Sequence, residues 1–110
     1  ELEWRIEMEG EIPIIFLSGD ITSSAIDLMA DAAGHSLERP GFVVGIELAG
    51  SDYINSSGLA VLIRLVKTLR DAGRRPVFVA LSGYFVEVMK IVGMFEIASR
   101  VASRGALKEL

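Results

Sequence analysis

Over residues 2–9, LEWRIEME, apolar and polar side chains alternate, with Leu2, Trp4, Ile6 and Met8 on one side, the period of a strand that buries one face. GEIP supplies turn chemistry, and the β-branched and aromatic run IIFLSG returns as a second strand, so the two are expected to form an antiparallel hairpin. The period then changes. In DITSSAIDLMADAAGHSLERPG, Ile26, Met29, Ala33 and Leu37 recur at helical spacing, Ser23 or Ser24 can cap the start, and Pro40 with Gly41 ends the helix. FVVGIELAG is a continuous apolar run of strand length, expected as a central strand with helices flanking both of its faces.

Beyond GSDYINSSG the helical period returns. Leu59, Leu62, Ile63, Val66 and Leu69 form a stripe opposite Arg64, Lys67, Thr68 and Arg70, and DAG stops it. RRPVFVALS reads as a further buried strand and GYFVEVMKIVG as a short helix that turns Phe85, Val88, Met89 and Val92 inward. MFEIASRVAS reads as a weak edge strand and SRGALKEL as a last, frayed helix. The order ββαβαβαβα, with right-handed crossovers, predicts one α/β domain over residues 1–110: a mixed, mostly parallel sheet of about five strands with about four helices. Pockets in such folds lie beyond the carboxyl ends of the strands, the rim on which GSDYINSSG leaves the strand at 42–48.

Composition narrows what that rim can do. The 110 residues are 51% hydrophobic and 24% charged, a globular balance that suits one core. The net charge of −4 argues against direct nucleic-acid binding, which needs a basic face, and the clusters DAGRRP and ASRVASR are too short to supply one. No cysteine is present, so disulfides, thiolate metal sites and a cysteine nucleophile are excluded. No apolar run is long enough for a membrane span and no signal pattern opens the chain; a soluble, cytoplasmic protein is expected, although the segment can be cut from a longer one.

Enzymatic machinery is not visible. His35, the single histidine, falls late on the first helix, and NSSGLA does not match the G-x-S-x-G elbow of a serine hydrolase. Neither G-x-x-x-x-G-K-[ST] nor G-x-G-x-x-G occurs, and the carboxylates at Glu7, Glu9, Glu11 and Asp52 lack metal-ligand spacing, so no cofactor or metal is expected. Met89, Met94 and Phe95 could form a partner surface or a cofactor slot, but core packing is the expectation because they share an apolar stripe with their neighbours. Tyr53 and Ile54 interrupt a polar loop, and such an apolar pair can anchor a protein interface, or Ile54 can plug the top of the core.

The segment NSSG at the mouth of the second helix admits a bland reading, in which Asn or Ser side chains only cap the first turn. The stretch LAGSDYINSSGLAVLIRLVKTLRDAGRRPVFVALSGYFVEVMKIVGMFEI adds a sharper one, because it resembles the STAS domain of bacterial anti-anti-sigma factors. The shared hallmark is a strand, a loop of the form D-x-x-x-[DN]-S-[ST]-G-[LI] and an apolar helix. The resemblance covers essentially the whole chain and is strongest over residues 42–97. It places the loop aspartate at Asp52, the residue before the serine pair at Asn55, the phosphoacceptor at Ser57 beside Ser56, and the helix-opening glycine at Gly58. SGDIT, with Asp20 and Thr22, resembles the polar turn that lies beside the phosphoacceptor in the family. Asn55 departs from the aspartate of many members, which keeps a cap but removes a charge.

The resemblance implies a partner switch rather than an enzyme. Unmodified, the protein would bind an anti-sigma factor that is a serine kinase and so free a sigma factor; phosphorylation of Ser57 would release the partner, and a PP2C-type phosphatase would reset it. Asp20, Thr22, Asp52, Tyr53, Ile54, Asn55, Ser56 and Gly58 would form the surrounding partner surface, with Gly58 either admitting a partner closely or serving only tight packing. Two other classes stay open: a constitutive STAS scaffold in a transporter, a stressosome-like assembly or a lipid-transport complex, and a module that binds a nucleotide or lipid at the loop rim.

Overall fold

The computed structural model describes residues 1–110. β1 (Glu3–Glu9) and β2 (Ile12–Ser18) are joined by a tight turn in which Gly10 has φ +61°, the left-handed backbone that short hairpin turns call for. They pair antiparallel, with Trp4 opposite Leu17 and Ile6 opposite Ile15. β3 (Val43–Gly50), β4 (Arg75–Val79) and β5 (Ser99–Val101) then add in parallel, connected through α1 (Ile26–Leu37), α2 (Ser56–Asp71) and α3 (Gly83–Ile91). A 3-10 helix, Arg104–Glu109, is the fourth helix and closes the chain. The expected α/β fold with a mixed, mostly parallel five-stranded sheet is the fold observed.

The spatial order of the strands, β1-β2-β3-β4-β5, is also their order in sequence, and it decides which helices flank β3: α-helices on one face and only the terminal 3-10 helix on the other. Each right-handed crossover steps the same way across the sheet, so α1, α2 and α3 are all brought to one face. There Met29, Leu62, Leu65, Val66, Phe85 and Met89 pack with Ile15, Leu17, Ile46 and Phe78 in the larger core. The opposite face has no crossover helix. Ile14, Val77 and Val79 are instead covered by Leu107 of the terminal 3-10 helix, and Gly45 in mid-β3 leaves the room: a Cβ there would meet Ile14 Cγ1 at 3.0 Å and Leu107 Cδ1 at 3.4 Å.

Ion pairs fasten this short cover. Arg104 donates from Nε to Glu47 Oε1 at 2.6 Å and from Nη2 to Glu7, which also pairs with Arg5, and Lys108 approaches Glu9 at 3.4 Å. The hydrogen bond from Arg104, followed by that from Arg5, holds the Glu7 carboxyl below its ordinary value of 4.5. A carboxylate depressed in the folded state stabilises above its unfolded pKa, and that contribution fades as pH falls through the folded value. Urea unfolding at pH 7 and near pH 3 is therefore expected to show wild type ahead of Glu7→Gln at neutral pH and the gap closing in acid. A gap that is constant with pH would show that the pair contributes nothing.

Smaller corrections follow from local geometry. Thr22, not Ser23 or Ser24, accepts from a free N–H of the entering turn, with its Oγ1 3.4 Å from Ser24 N; that turn is a 3-10 segment, Ser23–Ala25, and α1 begins only at Ile26. Ile26 consequently points outward, and the buried face of α1 is Met29, Ala32, Ala33 and Ser36. α3 ends before Val92, which is exposed, and the expected edge strand is divided into a 3-10 turn at Met94–Glu96 and the three-residue β5. Met89 and Met94 are fully buried, whereas Phe95 is partly buried beneath the guanidinium of Arg100. No helix is long and apolar enough to cross a membrane.

Candidate functional site

The parallel pairing of β2 with β3 does not stop where the strands do. Gly19 N–H donates to Gly50 O at 3.0 Å, Ile21 N–H to Tyr53 O at 3.0 Å, and Asn55 N–H to Ile21 O at 3.3 Å, with Ile21 and Ile54 forming an isolated bridge. Residues 19–22 and 50–55 thus travel side by side out of the carboxyl end of the sheet. This brings Asp20 and Thr22 to the serine loop although they are distant in sequence. Ser51, buried at the foot of the loop, ties it down by donating from N–H to Leu48 O at 2.9 Å.

At Asn55 the chain turns into α2. The Asn55 side chain accepts the Gly58 N–H at 2.7 Å, and its carbonyl accepts the Leu59 N–H at 2.8 Å, so Asn55 is the N-cap. The N–H groups of Ser56 and Ser57 have no partner in the chain, as expected at a helix mouth, and both serine side chains are exposed with their hydroxyls unbonded. Capping therefore does not use Ser57. Asn55→Ala should cost about 1 kcal/mol of stability by chemical denaturation; an unchanged midpoint would mean that the cap is idle.

Gly58 is buried, and its missing side chain is used inside the chain. A Cβ built there would collide with the carbonyl of Ile21 and lie 2.9 Å from Thr22 N, so the 19–22 segment occupies the space that a partner's backbone or a phosphate would need. Ile54 is corrected likewise. It is only 6% exposed and belongs to the larger core, so it plugs the top of the core and presents no side chain to a partner. The Tyr53 side chain is 48% exposed, and Asp20 and Asp52 are exposed with no cation paired to them.

Tyr84 was not foreseen. It is the second residue of α3, is half exposed, and donates from Oη to Ile54 O at 3.4 Å, adding a second aromatic ring to the rim. Its position just after β4, the strand beside β3, was the signal that could have found it. His35 lies elsewhere: its ring packs 4.9 Å from that of Trp4, and its Nδ1 is 2.9 Å from Asp31 O. None of the three cavities in the structure is lined by residues 51–58. The rim is an open surface with a free hydroxyl, an arrangement suited to docking and modification, and it offers no enclosed slot for the nucleotide or lipid considered above.

The chain can be compared with known proteins on this basis. Among solved structures it is similar to an anti-sigma factor antagonist from Mycobacterium paratuberculosis, with TM-score 0.79 and 16% identity over 99% of this chain and 93% of that one. It is also similar to an anti-sigma-factor antagonist (STAS) domain protein from Planctomyces limnophilus, with TM-score 0.71 and 18% identity over 96% and 93%. SpoIIAA, an anti-sigma factor antagonist described as a Bacillus cell fate determinant, resembles it in the unphosphorylated form at TM-score 0.70 and 16% identity over 96% and 94%. The phosphorylated form gives 0.67 and 15% over 96% and 97%. At these identities the likeness is one of fold. No curated protein matches the sequence. The family model described as "Mlab, STAS domain" matches residues 4–99, and the chain therefore belongs to the STAS domain family.

Proposed function

We infer that the protein is an anti-anti-sigma factor whose binding is switched at Ser57. The observation that carries this reading is the free, exposed Ser57 hydroxyl beside unpaired helix N–H groups while Asn55 does the capping. A phosphoserine carries about −1.5 to −2 charges at pH 7. At a helix N-terminus those charges meet free donors and the positive end of the dipole, so the domain accepts the group without unfolding. The fold shared with SpoIIAA, which exists in phosphorylated and unphosphorylated forms, agrees with this reading. Unmodified, the protein binds a serine-kinase anti-sigma factor in the cytoplasm and frees the sigma factor; the kinase phosphorylates Ser57, and a PP2C-type phosphatase restores the binding form. Tyr53, Tyr84, Asp20, Asp52 and Ser56 make up the exposed surface that the partner covers, with Thr22, Asn55 and Gly58 as its framework. The protein is a substrate and a switch, not an enzyme.

Incubation with serine-kinase anti-sigma factors from the same genome and ATP, followed by intact mass and peptide mapping, should find a single phosphate on Ser57. Phosphate on no kinase-treated sample, or on Ser56 alone, would discard the assignment. Membership of the STAS family leaves room for a second reading, a constitutive scaffold subunit of a transport or signalling assembly. That reading predicts one tight partner whose affinity ignores the state of Ser57.

A further inference from the structure

The end of the sheet away from Ser57 holds a second concentration of chemistry. Where β3, β4 and β5 begin and α2 ends, a cavity of about 320 Å³ is lined by Arg70, Arg74 and Arg75 with Phe42, Phe95 and Glu96. Thirteen residues of helix separate Arg70 from Ser57, roughly 20 Å at 1.5 Å per residue. The two sites are therefore distinct.

None of these three arginines is paired with a carboxylate, in a chain whose net charge is −4. Each is held instead by neutral oxygens. Arg70 Nη1 donates to Ile97 O at 3.2 Å, Arg75 Nη2 to Ser99 Oγ at 3.2 Å, and Arg74 Nη2 to Leu37 O at 3.2 Å and Arg39 O at 2.6 Å. These bonds leave most of the guanidinium N–H donors free. Arg74 Nη1 is buried with no partner at all. Three positive charges against Glu96 leave an excess of two; the C-terminal dipoles of α1 and α2, about half a negative charge each, reduce it to about one. An anion is favoured, and planar guanidinium forks match phosphate oxygens. Phe42, 61% exposed, and Phe95 add flat apolar faces, and the volume is that of a small-molecule site.

We propose that this recess binds a small phosphate ester with a flat organic part, of the nucleoside monophosphate class. Arg70 and Arg75 hold the phosphate, and Phe42 and Phe95 flank the ring. The site is independent of the Ser57 switch, so its failure would leave that switch untouched.

Calorimetric titration of the full chain with AMP in low salt tests it, with inorganic phosphate and adenosine as comparison ligands. AMP should saturate one site, phosphate should bind more weakly, and adenosine should give no heat. The double variant Arg70→Gln/Arg75→Gln should weaken AMP by roughly tenfold or more, with Arg74 left in place because it holds the end of α1. Phe42→Ala, a change at an exposed position, should bring AMP down toward inorganic phosphate. Amide shifts of the wild type should move at residues 42, 70–75 and 95–99. No AMP binding at millimolar concentration, unchanged affinity in the double variant, adenosine binding as tightly as AMP, or shifts confined to residues 51–58 would each overturn the proposal.

Discussion

Gly58→Ala is expected to lower stability by about 3 kcal/mol, the upper part of the usual range for over-packing, because nothing near the new methyl group can yield cheaply. The obstacle is backbone: the carbonyl of Ile21, whose oxygen also accepts the Asn55 N–H and whose neighbours pair with the serine loop. To admit a Cβ, either α2 lifts from the sheet or residues 19–22 leave the loop. Both moves open the core where Ile21, Ile54 and Leu62 are buried. In thermal unfolding the loss corresponds to a fall of roughly 12 °C or more for a chain of this size. Gly34→Ala is the control. It lies in α1 with nothing within 4 Å of its added Cβ, and should stabilise by up to about 1 kcal/mol through helix propensity. If Gly58→Ala unfolds within 1 kcal/mol of wild type, the close seat of α2 on Ile21 is not formed.

The contrast between these two glycines marks how far the sequence is legible. Both occur in helical patterns, and only the fold reveals that one faces solvent and the other a carbonyl. Element types were readable because periodicity reports burial directly: Leu62, Val66 and Leu69 recur at helical spacing because α2 lies on a sheet. The covering of the second face was not readable. It depends on strand order, a long-range property, and on Arg104 and Leu107 reaching Glu7, Glu47 and Ile14 from the far end of the chain. At the candidate site, a cap from Asn55 or Ser56 lay open to local reading, because capping is decided within four residues, and the structure gives it to Asn55. Ile54 and Tyr53 could not be told apart from composition. Their opposite fates come from the bridge to Ile21, which turns one side chain inward and leaves the other outside.

Ser57→Asp is expected to abolish partner binding while leaving the fold intact, and this separation of effects is what a switch requires. The substitution puts a carboxylate in the first turn of α2, where the dipole stabilises negative charge by about 0.3–1 kcal/mol, so the melting temperature should hold or rise slightly. Binding faces the opposite balance. A partner that covers Ser57 must desolvate the new charge on a rim where Asp20 and Asp52 are already exposed and unpaired. A mismatch of only about 3 kcal/mol weakens the complex roughly a hundredfold. Ser57→Ala adds no charge and should bind the kinase as wild type does, yet resist phosphorylation. Titrating all three forms against the kinase, with melting curves alongside, reads both quantities. Salt sharpens the result, since repulsion between exposed charges is screened over about 10 Å at 0.1 M. Part of the Ser57→Asp loss should therefore be recovered at high ionic strength if Asp20 and Asp52 contribute, and none if the loss is steric. Equal affinities for all three forms would remove the switch and leave the constitutive scaffold as the reading that the fold supports.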